Sequence, residues 1–234
     1  MPVWGLLSSI GLLLVLGAVS VAGLSQQPVV DASREMRPAP TFTVKPAPAV
    51  TDERPVVAFL GDSYTVGARA TEAERWSSRV SAELGWAERN FGIADTGYFV
   101  VGAMANGNLY RDRIAAIAAE NPATVIVSGG RNDLWNDQDD IDAAIRQTFQ
   151  ELRAALPNAQ IIAVNPWWDS TEPPRQLADI GTTVQASVEE VGGRYLDAGQ
   201  PLVGHPEWIH EDLVHPIAPG YAALAEAFLA AYGG

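Results

Sequence analysis

Apolar runs that stop abruptly at polar or glycine-rich segments set the frame for this chain. Val56-Val57-Ala58-Phe59-Leu60 runs straight into Gly61-Asp62-Ser63, and Thr124-Val125-Ile126-Val127-Ser128 into Gly129-Gly130-Arg131-Asn132-Asp133. Gln160-Ile161-Ile162-Ala163-Val164 is a third run of this kind. A short apolar run without alternation is the mark of a strand buried on both faces, as in a parallel sheet. Ala87–Phe91 and Arg194–Asp197 read as two shorter strands. Between the runs, 71–84, 111–120, 139–156 and 173–191 have helical composition, and 219–232 closes the chain as an Ala-rich helix. In the third of these helices Ile141, Ile145, Phe149 and Leu152 recur at helical spacing, with Pro157 beyond as a stop. The alternation predicts an α/β fold: a five-stranded parallel sheet with helices on both faces, a three-layer sandwich. In such a sheet the segments that follow the strands share one carboxyl edge, where ligands bind.

A serine at that edge has two readings. Either the Ser63 hydroxyl faces a cleft beside backbone N–H groups at a helix start, or Ser63 simply caps the helix, as serine commonly does. The choice depends on whether the chain supplies a base. It has only three histidines, His205, His210 and His215, all in one segment. A serine hydroxyl is a weak nucleophile until imidazole takes its proton, and the imidazole needs a carboxylate to hold its tautomer. Asp212 lies three residues before His215 and suits that role. A zinc reading competes, because His210-Glu211-Asp212-Leu213-Val214-His215 approaches the metalloprotease helix pattern. It carries one residue too many: imidazoles five apart on a helix point about 140° from one another. His205 and His210 read as rim or packing residues.

Composition narrows the partners. A formal charge of −13 argues against nucleic acid or an anionic membrane surface. Absence of cysteine removes disulfides, thiol catalysis and thiolate metal sites. The amino end points to export. Residues 1–24 form an apolar segment, uncharged from Val3 onward and centred on Leu12-Leu13-Leu14-Val15-Leu16, with the length of a membrane span. It reads as a signal peptide, with Ser20-Val21-Ala22 as a small-x-small cleavage site, or as an uncleaved anchor. Residues 25–54 are Pro-interrupted, as in Pro38-Ala39-Pro40 and Pro46-Ala47-Pro48, and read as an extracytoplasmic linker. One domain, expected to act as a monomer, then occupies 55–234. The protein is expected to be secreted or held to the membrane only by its first segment.

Taken in order, these segments resemble the SGNH (GDSL-type) hydrolases. Gly61-Asp62-Ser63 is similar to the first family block, Gly130-Arg131-Asn132-Asp133 to the third, and Asp212-Leu213-Val214-His215-Pro216 to the last. The resemblance runs from Val56 to the final helix and implies a flavodoxin-like sheet, no metal and no cofactor. It implies Ser63 as nucleophile, His215 as base and Asp212 as its orienting acid, with Asn132 and the backbone N–H groups of Ser63 and residue 95 forming the oxyanion hole. The second block departs from the family: Asp95 stands where the family has glycine, between Gly92 and Gly97. A backbone donor survives that change, but a carboxylate turned toward the oxyanion would oppose it. Thr65 stands where the Gly-x-Ser-x-Gly elbow of the α/β-hydrolases has its second glycine, so that family is not matched.

The expected activity is hydrolysis of an ester through an acyl-enzyme. Transfer of the acyl group to an envelope glycan or lipid, or a catalytically weak glycan- or acyl-binding domain, are the alternatives. Tyr64, Gly97, Arg131, Trp167, Trp168 and Trp208 follow strands or flank the blocks and are candidates to line a substrate pocket; for the three tryptophans ordinary packing is the competing reading.

Overall fold

The structure, a computed structural model, describes residues 52–102 and 108–233. The leader, its cleavage site and nearly all of the linker lie outside the described residues. Five parallel strands form one sheet: β1 (Val56–Gly61), β2 (Ala87–Gly92), β3 (Thr124–Ser128), β4 (Gln160–Val164) and β5 (Arg194–Leu196), in the order β2-β1-β3-β4-β5. The helices are α1 (Ser63–Val66), α2 (Trp76–Leu84), α3 (Ile114–Ala119), α4 (Gln138–Ala155), α5 (Arg175–Glu190) and α6 (Ala218–Gly233). None of the described helices is long and apolar enough to cross a membrane.

The pleat sorts strand side chains onto two faces. Ala58, Leu60, Val125, Val127, Ile161 and Ala163 join Ile117 of α3, Phe149 of α4 and Ile180 of α5 in one core. Val57, Phe59, Ile126, Ile162 and Val164 join Trp76 of α2 and Phe228 of α6 in the other. The expected three layers follow from that division. Reversal of strand order at β1 and β3 puts the loops after these two strands side by side, which is where an α/β sheet binds ligand.

Two expected helices are shorter than their composition suggests. Residues 71–75 form a turn: the Thr71 N–H and hydroxyl both donate to Glu74 Oε2, and Arg75 is extended at ψ 150°. The 111–120 segment begins as a 3-10 turn, Arg111–Arg113, before α3. There Arg113, only 5% exposed, points under the sheet edge. It donates to the carbonyls of Gly61 and Phe91 and, at 3.0 Å, to Thr96 Oγ1. One buried cation thus ties the ends of β1 and β2 to the loop after β2. Burial pulls its pKa below the usual arginine value, with Tyr110 and Asp62 opposing the drop.

Candidate active site

Gly61 ends β1 because nothing larger fits: a Cβ there would meet Thr65 Oγ1 at 2.0 Å and the Ser128 carbonyl at 2.4 Å. The chain turns at once into α1. Its cap is Asp62, whose Oδ1 accepts the Tyr64 N–H at 2.9 Å. Ser63 is therefore the first residue of the helix rather than its cap, and its backbone N–H has no partner within the helix. Its side chain is left without a capping role. Asp62 is almost fully buried, and burial raises its carboxyl against the Tyr64 N–H and the charge of Arg131.

His215 and Asp212 lie on the loop before α6. Asp212 Oδ2 is 2.9 Å from His215 Nδ1, while Oδ1 accepts the backbone N–H groups of Val214 and His215 at 3.1 and 3.0 Å. An ionised carboxylate only accepts, so Nδ1 carries the proton and Nε2 is left as a lone-pair base. Partial desolvation would raise the Asp212 carboxyl, but the bonds from His215, Val214 and Arg69 outweigh it. They hold it well below the usual carboxylate range. Arg69, in left-handed backbone at φ 69°, donates Nε to Asp212 Oδ2 at 2.9 Å. An antiparallel bridge between Ile209 and Pro216 closes this loop on itself. His210 serves it structurally, its Nδ1 accepting the Asp212 N–H at 3.2 Å. His205 lies flat on Trp208 with ring centroids 3.7 Å apart.

The loop after β3 brings Asn132 to the same edge. One amide N–H of Asn132 donates to the Thr96 carbonyl at 2.9 Å, so the second is free for another acceptor. The next residue, Asp133, is wholly buried and accepts the N–H groups of Tyr98, Phe99 and Val100 at 2.8–2.9 Å. Its approach needs Gly97, where a Cβ would meet Asp133 Oδ1 at 2.1 Å. Burial pushes the Asp133 carboxyl up to about 6, against those three bonds. Asp95 is exposed and left-handed at φ 61°, a conformation that glycine adopts freely and aspartate tolerates better than most residues. This is why the glycine position of the second block accepts it: the side chain lies in solvent. Asp95→Gly is accordingly expected to change turnover of a simple ester by less than about threefold. A tenfold gain, about 1.4 kcal/mol of barrier, would show that the carboxylate faces the reacting oxygen.

Of the pocket-lining candidates, Tyr64, Gly97 and Trp167 are buried, while Arg131, Trp168 and Trp208 are half-buried. Trp167 is 3% exposed and packs edge-on against Trp76 in the core. Tyr64 is 2% exposed, Gly97 is buried against Asp133, and Arg131 is flanked by the rings of Tyr64 and Trp168 at 5.0 and 4.4 Å. The space between Asp62, Tyr64, Ser128, Gly129, Arg131 and Trp167 is too narrow for a water. These side chains therefore brace the edge instead of opening it, because each found an aromatic or charged neighbour across a loop. Trp208 is half-buried beneath His205. Sequence reading missed Arg69 and Arg113. Arg69 left no signal, since only the fold brings it to Asp212. Arg113 did: it shares a helical stripe with Tyr110, Ile114 and Ile117, a buried face on which a cation must find acceptors. Among the described residues no three His, Asp or Glu side chains converge to hold a metal ion.

Residues 59–223 match the model of the GDSL-like Lipase/Acylhydrolase family. A GDSL lipase of Mycobacterium tuberculosis is 30% identical over 184 residues, covering 73% of this chain and 78% of its own. The chain belongs to the GDSL-like lipase/acylhydrolase family and is a hydrolase. Two esterases are among the solved structures that share the fold. A family two carbohydrate esterase from Clostridium thermocellum, in complex with cellohexaose, superposes with a TM-score of 0.62 at 19% identity, over 76% of this chain and 63% of that one. An acetylxylan esterase from Geobacillus stearothermophilus gives 0.56 at 23% identity, over 77% and 94%.

Proposed function

We propose that this protein is a serine esterase working through an acyl-enzyme, with Ser63, His215 and Asp212 as its triad. The observation that carries the reading is the 2.9 Å contact between His215 Nδ1 and Asp212 Oδ2, on a loop tied to the residue next to Ser63. In the first half-reaction Ser63 Oγ attacks the acyl carbon while its proton passes to His215 Nε2. The bond to the alcohol oxygen then breaks as His215 returns the proton to that oxygen. Water repeats the sequence, releasing the acid and restoring Ser63. Asp212 keeps the imidazole in one tautomer and balances its charge when it holds the proton. The free N–H of Asn132 and the backbone N–H groups of Ser63 and Asp95 receive the developing oxyanion.

The rim of the site carries polar groups beside the exposed apolar side chains of Val66 and Leu213. Asp95 and the Arg69–Asp212 pair reach solvent, and His205 covers Trp208. Those polar groups support a polar alcohol, as on an acetylated glycan, and the two carbohydrate esterases of the same fold are consistent with it. The apolar first segment and Pro-rich stretch support an exported enzyme acting on envelope or extracellular material.

Treatment with an organophosphonate ester is expected to stop turnover with one adduct per chain, located on Ser63 by peptide mass spectrometry. A stoichiometric adduct elsewhere that accounts for the loss of activity would overturn the assignment. Release of acetate from an acetylated xylan would place the alcohol among the sugars. Exhaustive EDTA treatment is expected to leave activity unchanged, because no step calls for a metal. Loss on chelation with recovery on adding zinc would revive the zinc reading.

A further inference from the structure

We propose that Tyr64 is a positioning residue for this reaction: its hydroxyl, anchored by Arg131, clamps the peptide unit that carries His215 against the turn that carries Ser63. The proposal rests on the triad reading above. The hydroxyl lies 2.6 Å from the Val214 carbonyl and 2.6 Å from Arg131 Nη1. The direction of both bonds is fixed by chemistry, since a guanidinium only donates and a carbonyl only accepts. The single phenolic proton therefore goes to Val214, and Arg131 supplies the bond the oxygen accepts. Burial pushes the phenol far above its ordinary pKa, so that proton is always present.

What the clamp holds is specific. The Val214 carbonyl and the His215 N–H belong to the same planar peptide unit. Tyr64 takes its oxygen, and Asp212 Oδ1 takes its N–H at 3.0 Å. With both ends of that plane fixed, and the His215 carbonyl held on its other side by the His210 N–H at 2.8 Å, the direction in which the His215 side chain leaves the backbone is fixed too. Tyr64 follows Ser63 directly in α1, so nucleophile and clamp share one rigid turn. The anchor is equally constrained. Arg131 lies between the rings of Tyr64 and Trp168 and reaches Asp169 Oδ2 at 3.3 Å, while Asp169 Oδ1 is held by the Thr171 N–H and hydroxyl. One line of contacts thus joins the loops after β1, β3 and β4 to the loop before α6. A hydroxyl buried at that junction has no route to substrate. It acts through the distance between base and nucleophile, where an error of about 1 Å can cost on the order of 10²-fold.

Tyr64→Phe keeps the ring, which packs in the core, and removes only the clamp. With p-nitrophenyl acetate, kcat is expected to fall about tenfold to a hundredfold while KM stays within about twofold. The same change made on a His215→Ala background should alter the residual rate by less than about twofold, because the clamp then has nothing to position. A kcat within twofold of the parent, or an equal loss on the His215→Ala background, would overturn the proposal. Should Tyr64→Phe fail to fold, Arg131→Lys provides the same comparison, since it keeps the charge for Asp169 but loses the fork that reaches the hydroxyl. Failure of the esterase reading would look different: His215→Ala alone would then retain the parent rate.

Discussion

Ser63→Ala is expected to lower turnover of a short-chain ester by at least about 10⁴-fold, with circular dichroism and melting temperature essentially unchanged. The expectation of an intact fold follows from the site. The Ser63 side chain does not cap α1, since Asp62 does, and alanine is at least as good in a helix. The loss is large because the remaining parts, the oxyanion donors and His215, cannot form the acyl-enzyme on their own. Some acceleration should persist: donors aimed at a tetrahedral oxygen still favour direct attack by water, and triad-deleted hydrolases keep about 10³–10⁴-fold over the uncatalysed rate. A folded Ser63→Ala variant with undiminished turnover would remove Ser63 from the mechanism.

The second large effect is expected at Asp133, and it falls on stability. Asp133→Ala orphans the N–H groups of Tyr98, Phe99 and Val100, worth about 1–3 kcal/mol each when left buried without acceptors. Against this stands the cost of burying the charge, which displaces the carboxyl to about 6 even with those three bonds in place. The loss is therefore read at pH 4, where the buried carboxyl is neutral and still accepts these bonds, as about 3 kcal/mol or more from the urea midpoint. The pH dependence has a definite sign. The folded state binds the Asp133 proton more tightly than the unfolded chain does. Its contribution is therefore fully present below the unfolded pKa, near 4, and is lost as pH rises through about 6. The stability of the parent relative to Asp133→Asn should thus fall by about 2.4 kcal/mol between pH 4 and pH 7. Using the difference removes the opposite slope contributed by carboxylates such as Asp212, whose pKa is depressed. A difference that is flat or rises with pH would show that the three N–H bonds dominate over burial.

The division between what the sequence disclosed and what it hid has a physical cause. Buried parallel strands write themselves as apolar runs, so β3 and β4 were legible to the residue, β1 to within one, and α4 within one residue at each end. The residues that the proposed reaction draws on stand out because their side-chain types are scarce: three histidines, one of them three residues after an aspartate. Helix starts were less so, since Thr71 and Glu74 satisfy each other in a turn that has the composition of a helix. The support of the site was hidden for a different reason. Tyr64, Arg131 and Trp167 looked like surface for a ligand because aromatic and cationic side chains serve both binding and packing. Only the partner across the loop decides which, and that partner is 67 residues away in the case of Tyr64 and Arg131.

Asp95 separates two tiers of this site that change under different rules. Beneath the sheet edge, Arg113, Asp133 and Arg131 hold the loops through bonds made wholly within the protein, and few substitutions there leave every partner satisfied. Above it, residues such as Asp95 contribute a backbone group below and a side chain to solvent. At such a position descent can exchange glycine for a carboxylate and alter the character of the entrance without touching the reaction beneath. Variation in what this lineage accepts is then free to accumulate one rim residue at a time, on chemistry that need not be rebuilt.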